Sequence, residues 1–364
     1  MNVQSISQTI DSALTAAGLD PRAGALQAVT ATIEKALASA GLAQLRRPSP
    51  GHLPTGLVSG TVVPGSHARK NFAATDVGQF LSLSYTNRLG RRAYKLYVPS
   101  SYDGRPAPLI VMLHGCKQDP DDFAAGTRMN ALAESKGFLV AYPAQTRREN
   151  GANCWNWFDA HQQSREGIEP SLIAGIVREI CTSHSVDSSR VFVAGLSAGA
   201  AMAVILSTTY PELFAGVAAH SGLPVGAAQD VTSAFAAMRG GVAASSAGVR
   251  RPAVPTIVFH GDADHTVALS NGSTIVGQAL HAYAESDTTL RKSQRSPQVS
   301  DGTRFTTTDY LDADGKHRVE EWVVHGGSHA WFGGSPDGSY TDPSGPDASA
   351  EIVRFFLSQP VRLA

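Results

Sequence analysis

Val191-Phe192-Val193-Ala194-Gly195-Leu196-Ser197-Ala198-Gly199 is the stretch whose reading decides the fold. Its first four residues are apolar without a break, as in a strand buried on both faces. Two glycines then bracket a serine, and Met202, Val204 and Leu206 carry an apolar helix from Ala198 to Thr208. A strand that turns sharply into a helix exposes the serine hydroxyl at the top of a sheet. Small neighbours let backbones approach closely, and the helix N-terminus points its positive dipole end at the same spot. Gly-x-Ser-x-Gly alone is a weak pattern; the strand before it and the helix after it make Ser197 a candidate nucleophile.

Working outward, apolar strands and helical segments alternate. Phe80 to Tyr85 and Ala93 to Val98 read as opening strands, and Leu109-Ile110-Val111-Met112-Leu113 as a fully apolar strand. A helix is expected over Phe123 to Ser135, a strand over Phe138 to Tyr142 and a helix over Ser171 to His184. Further strands are expected at Phe214 to Ala219, Thr256 to Phe259 and Val319 to Val324. This alternation predicts the α/β class, a mainly parallel central sheet covered by helices on both faces. Residues 224–255, rich in Ala, Gly and Ser with a helix expected over Val231 to Arg239, read equally as a cap over the site or a plain surface insertion.

A serine hydroxyl at neutral pH needs an imidazole within hydrogen-bond reach, itself oriented by a carboxylate, and in this fold the chain order is serine, acid, histidine. Strand Thr256 to Phe259 runs into His260-Gly261-Asp262-Ala263-Asp264-His265-Thr266-Val267. Asp264 is the expected acid and Asp262 the alternative. The last strand empties into His325-Gly326-Gly327-Ser328-His329-Ala330-Trp331, where glycines let the loop carry His329 over the sheet edge as general base; His325, nearer the strand, reads as structural. Backbone N–H groups of Ala198, after the nucleophile, and Cys116, in Leu113-His114-Gly115-Cys116, are the expected oxyanion donors, with His114 holding that loop by side-chain hydrogen bonds. Trp155 and Trp157, in the non-periodic loop Asn153 to Phe158, and Trp331, close after His329, are expected to grip substrate against a competing core-packing reading; Trp322 is assigned to the core.

The chain of 364 residues, 42% hydrophobic and 17% charged, is long enough for a large core, and a formal net charge of -1 offers no field that would recruit nucleic acid or an anionic membrane. No apolar run is long enough to span a bilayer, and no Cys-x-x-Cys or His-Glu-x-x-His pattern suggests a metal site. Residues 1–45 carry two segments of helical spacing, Val3/Ile6/Ile10/Leu14 and Leu26/Val29/Ile33/Leu37, read as a helical hairpin packed on the main domain or adhering to a lipid or polymer surface. Residues 46–75 have linker composition, leaving 76–360 as the main domain. The first residues lack the basic and apolar regions of a secretory signal, so the expected location is cytoplasmic, with secretion by a non-standard route as the alternative. Of three cysteines, Cys116 and Cys154 could pair if they meet, leaving Cys181 free, or all three could be buried thiols.

Together, Leu113 to Cys116, Phe123 to Ala133, Asn153 to Phe158, Val193 to Gly199, His260 to Val267, and Ser328 to Gly334 with Thr341-Asp342-Pro343 resemble the polyhydroxybutyrate depolymerase family of α/β-hydrolase esterases, related to feruloyl and acetylxylan esterases. The resemblance covers about residues 76 to 358. It implies hydrolysis of short-chain hydroxyalkanoate esters, polymeric or oligomeric, without a cofactor. It maps a triad onto Ser197, Asp264 and His329 and favours a Cys116–Cys154 bridge beside the oxyanion loop. Secreted members carry a signal peptide and often a separate substrate-binding domain, and neither is visible in this sequence. A carbohydrate esterase and a non-catalytic polymer-binding protein are the rival expectations.

Overall fold

The computed structural model describes residues 78–240, 251–300 and 302–360. The expected hairpin over 1–45 and linker over 46–75 lie outside the described residues, as does part of 224–255.

One ten-stranded sheet organises the chain. In sequence its strands are β1 (Gln79–Asn87), β2 (Gly90–Val98), β3 (Ala107–Leu113), β4 (Leu139–Pro143), β5 (Val186–Leu196), β6 (Gly216–His220), β7 (Thr256–Gly261), β8 (Arg291–Ser300), β9 (Thr303–Leu311) and β10 (His317–Val324). They lie in the order β1-β2-β4-β3-β5-β6-β7-β10-β9-β8. From β4 to β10 neighbouring strands are parallel, and antiparallel pairs close both ends. A separate short parallel pair joins β11 (Trp331–Phe332) to β12 (Thr341–Asp342).

The helices are α1 (Pro120–Thr127), α2 (Met129–Lys136), α3 (Ile168–Ser183), α4 (Ala198–Thr209), α5 (Val231–Met238), α6 (Leu269–Glu285) and α7 (Ala348–Leu357). Every residue of β3, β4, β6 and β7 is buried, which is what helices on both faces of a parallel sheet produce. Strand alternation sorts β3 cleanly. Leu109, Val111 and Leu113 join the apolar layer built with α3, α4 and α6, while Ile110 and Met112 join the layer built with α1, α2 and α7.

The single helix expected over Phe123 to Ser135 is instead two. Arg128 takes a left-handed backbone (φ 54°) between α1 and α2, and its guanidinium donates to the Gly333 carbonyl at 2.5 Å. The break turns α1 so that Gly126 packs directly on the Gly338 backbone, a contact that helical periodicity does not encode. Helix α5 forms where expected, held by a capping box between Asp230 and Ser233.

Candidate active site

Strand β5 ends at Leu196, and Ser197 sits at φ 56°, ψ -119°, a conformation a side chain rarely adopts. Two features hold it there. The Ser197 N–H donates to the His220 carbonyl at the end of β6 (2.9 Å), and α4 is drawn tightly against β3. A Cβ on Gly199 would lie 2.1 Å from the Leu113 carbonyl oxygen, so the glycine permits that approach. Ser197 is partly exposed, and the N–H of Ala198, first residue of α4, donates to no group among the described residues.

The loop after β3 faces that helix start. His114 is fully buried and neutral in its bonding: Nδ1–H donates to the Gly115 carbonyl (2.8 Å) and Nε2 accepts from the Gln145 N–H (3.1 Å). The expected loop-holding role of His114 is therefore what the structure shows. Cys116 is disulfide-bonded to Cys154, and its N–H too is unbonded among the described residues. Around the bond, the Lys117 N–H donates to the Ala152 carbonyl (2.7 Å) and the Trp155 indole to the His114 carbonyl (3.1 Å). Behind it lies a buried polar network in which Glu169 accepts from the Asn156 N–H (2.8 Å) and from Gln145, itself bonded to Arg92. Burial raises the Glu169 carboxyl above its ordinary value, while its hydrogen bonds pull the other way.

The bridge closes a loop of 38 residues, so its removal frees substantial chain entropy in the unfolded state. Cys154→Ala is expected to lower unfolding free energy by about 4 kcal/mol. Paired urea titrations of parent and variant check this, and equal midpoints would contradict it.

The acid and the histidine reach the same sheet end on two loops that touch. Glycine is needed at Gly261 because a Cβ there would sit 2.1 Å from the Gly327 carbonyl oxygen. His329 Nδ1–H donates to Asp264 Oδ2 at 2.7 Å, and the other Asp264 oxygen accepts from the N–H groups of Thr266 and Val267, each at 2.8 Å. Burial alone would raise the Asp264 carboxyl, but hydrogen bonds from His260 and His329 outweigh it and hold the group far below the usual carboxylate range. Asp262 points elsewhere: its Oδ2 accepts from His325 Nδ1 (2.8 Å) and its Oδ1 from the Gly326 N–H (2.7 Å). Thr306 Oγ1 and His325 Nε2 are 2.8 Å apart, completing a loop anchor that His325 provides. Ser197 Oγ makes no hydrogen bond to a group among the described residues; such contacts commonly tighten only when substrate binds.

A profile of the family described as esterase PHB depolymerase matches residues 92–298, more than half the chain. The chain belongs to the PHB depolymerase esterase family. A poly(3-hydroxyalkanoate) depolymerase C of Paucimonas lemoignei is 34% identical over 71% of this chain and 62% of its own. A poly(3-hydroxybutyrate) depolymerase of Ralstonia pickettii is 29% identical over 84% of this chain and 64% of its own. The chain thus spans under two thirds of the length of either relative. Among solved structures, an acetyl xylan esterase from Aspergillus awamori superposes with TM-score 0.57 at 20% identity, over 77% of this chain and all of that one, which establishes the α/β-hydrolase fold.

In this PHB depolymerase family member the aromatic expectations need correction. Trp155 is 0% exposed, Trp157 5% and Trp331 1%. The Trp331 indole donates inward to Ser349 Oγ (3.0 Å) and its ring stacks on His220. With their polar edges satisfied inside, Trp155 and Trp331 pack the core beneath the site and do not grip substrate from an open surface. Trp322 is buried as expected.

The residue missed by sequence reading is His220. Its carbonyl takes the Ser197 N–H and its Nε2 accepts the Phe332 N–H (3.2 Å), so one buried residue ties the serine turn to the loop bearing His329. Its place at the carboxyl end of the strand beside β5 was the available signal. Burial depresses the imidazoles of both His114 and His220 below the ordinary histidine value. The unfolded chain therefore takes up protons near pH 6.5 that the native family member refuses. Stability is full above that pH and falls as pH drops below it, by up to about 1.4 kcal/mol per pH unit for each group. Urea midpoints measured from about pH 7.5 down to about pH 5 should decline accordingly; a flat profile would refute the assignment of both imidazoles as neutral.

Proposed function

We propose that the chain is a serine carboxylic-ester hydrolase acting on short-chain hydroxyalkanoate polyester or its oligomers. The observation that carries this reading is the Asp264–His329 hydrogen bond, on loops at the same end of the sheet as the serine turn. In this reading His329 Nε2 takes the Ser197 hydroxyl proton as Oγ attacks the ester carbonyl, while Asp264 fixes the imidazole so that Nδ1 keeps its proton. The N–H groups of Cys116 and Ala198 stabilise the oxyanion of the tetrahedral intermediate. The alcohol leaves with the proton returned by His329, and water, activated by the same imidazole, releases the acyl group from Ser197.

The depolymerase names of two relatives support the hydroxyalkanoate assignment over a carbohydrate ester. The test is kcat/KM of purified protein on hydroxybutyrate oligomers, methyl ferulate and acetylated xylan. Fastest turnover is expected on the oligomers. A preference for feruloyl or acetyl-sugar esters overturns the substrate assignment and leaves the esterase assignment standing, whereas inertness toward all three with no labelling of Ser197 by a fluorophosphonate overturns both.

A further inference from the structure

At the opposite end of β10 from His329, three side chains with no part in the proposed chemistry converge. Asp309 and Glu320 are directly opposite on the antiparallel strands β9 and β10, so they share a face of the sheet. His317 stands three residues before Glu320, and on a regular strand an odd separation would send it to the other face. The register shifts between His317 and Val319, however, and two residues of β10 there oppose one of β9. This bulge returns His317, opposite Leu311, to the face of Asp309 and Glu320.

The side chains then meet in an unusual way. His317 Nδ1 is 3.0 Å from Glu320 Oε1 and 3.4 Å from Asp309 Oδ1, and the three donor atoms lie within 4.8 Å of one another. Glu320 is 0% exposed and Asp309 4%. Nevertheless neither Glu320 Oε1 nor His317 Nδ1 makes a hydrogen bond. A buried carboxylate oxygen without a partner is costly, and an imidazolium bridging two carboxylates would aim its N–H along one of those short vectors. Here the imidazole nitrogen and the carboxylate oxygen of Glu320 stand close without bonding to each other.

We propose that Asp309, His317 and Glu320 bind a divalent transition-metal ion, with zinc the best chemical match. One imidazole nitrogen and two carboxylate oxygens are a zinc donor set, with a fourth position left for water. The surrounding groups orient the ligands: Arg295 grips Asp309 through two bonds of 3.1 and 3.2 Å, and Arg354 (2.6 Å) with the Trp322 indole (3.2 Å) holds the second oxygen of Glu320. Those contacts leave Oε1 free for the ion. His317, whose side chain is 33% exposed, provides the entrance. The ion would clasp β9 to β10 and, through Arg354, to α7, which makes the site structural and independent of the ester chemistry.

Cobalt(II) is the probe, used on the full chain without an affinity tag. The parent protein is expected to give one equivalent of protein-dependent visible absorption that Zn²⁺ removes, and a melting temperature higher on the order of 5 °C near a hundredfold excess of metal over Kd. His317→Ala should lose both effects while keeping the parent's metal-free circular dichroism. His317→Cys, which replaces nitrogen by a thiolate, should bind cobalt and add sulfur-to-metal charge transfer in the near ultraviolet. Absence of protein-dependent absorption in the parent, or an unchanged spectrum in His317→Ala, overturns the proposal.

Discussion

Ser197→Ala is expected to lower kcat on p-nitrophenyl butyrate by about 10⁶ while leaving the fold intact, because in the proposed mechanism loss of the attacking atom disables the whole hydroxyl–imidazole–carboxylate unit at once. Alanine is smaller than serine and introduces no new contact. Ser197 Oγ carries no hydrogen bond among the described residues, so its removal orphans no buried partner. The residual rate should reflect substrate binding and the proposed oxyanion donors, since the N–H groups of Cys116 and Ala198 remain in place. Single-turnover and steady-state assays at matched protein concentration measure the effect. Turnover within about tenfold of the parent would remove Ser197 from the mechanism, since a nucleophile's loss cannot be so mild.

The second large effect separates two aspartates that stand two positions apart. Asp264→Asn keeps shape but replaces an acceptor by an amide that favours the wrong tautomer of His329, so kcat should fall by about 10⁴. Asp262→Asn perturbs only the anchor formed with His325 and Gly326 and should cost no more than ~10²-fold, the scale of a misplaced loop. Parallel kcat measurements decide between them, and the reverse order would transfer the acid's role to Asp262. Because its hydrogen bonds keep Asp264 far below the usual carboxylate range, it stays ionised at every ordinary assay pH. The stability it contributes is present above the unfolded carboxylate value near 3.9 and is lost only as pH falls from there through the depressed native value.

The central sheet was legible because β3, β4, β6 and β7 are buried on both faces and so read as unbroken apolar runs. The antiparallel extension was not. Strand β9, Thr303–Leu311, holds four threonines, three of them consecutive, with no clean alternation of apolar and polar positions, and β8 carries Arg291, Lys292, Arg295 and Pro297 at the sheet's edge. Such a composition reads as loop when pairing is unknown.

At the site, the motif order named Ser197, an aspartate and His329 along the chain, but the choice between Asp262 and Asp264 depended on which histidine each side chain faces. Residues two apart in a turn can point anywhere, and only the fold assigns Asp262 to His325. The tryptophans failed for a related reason. A non-periodic aromatic loop looks surface-bound in sequence, and the inward bonds of Trp155 and Trp331 to His114 and Ser349 involve residues up to 41 positions away. The helix break at Arg128 accompanies packing between Gly126 and Gly338, far more remote in sequence.

The touching loops after β7 and β10 bear on how this protein could be recombined with its kin. The Asp262 N–H donates to the Val324 carbonyl and the Ala263 N–H to the Gly327 carbonyl, both at 3.1 Å, alongside the two aspartate–histidine pairs. Though 65 positions separate Asp264 from His329, the two segments form one cassette. A chimera with a single crossover between them would inherit half a clasp from each parent. Grafts that move both segments together keep the seam intact, whatever sequence is exchanged in between.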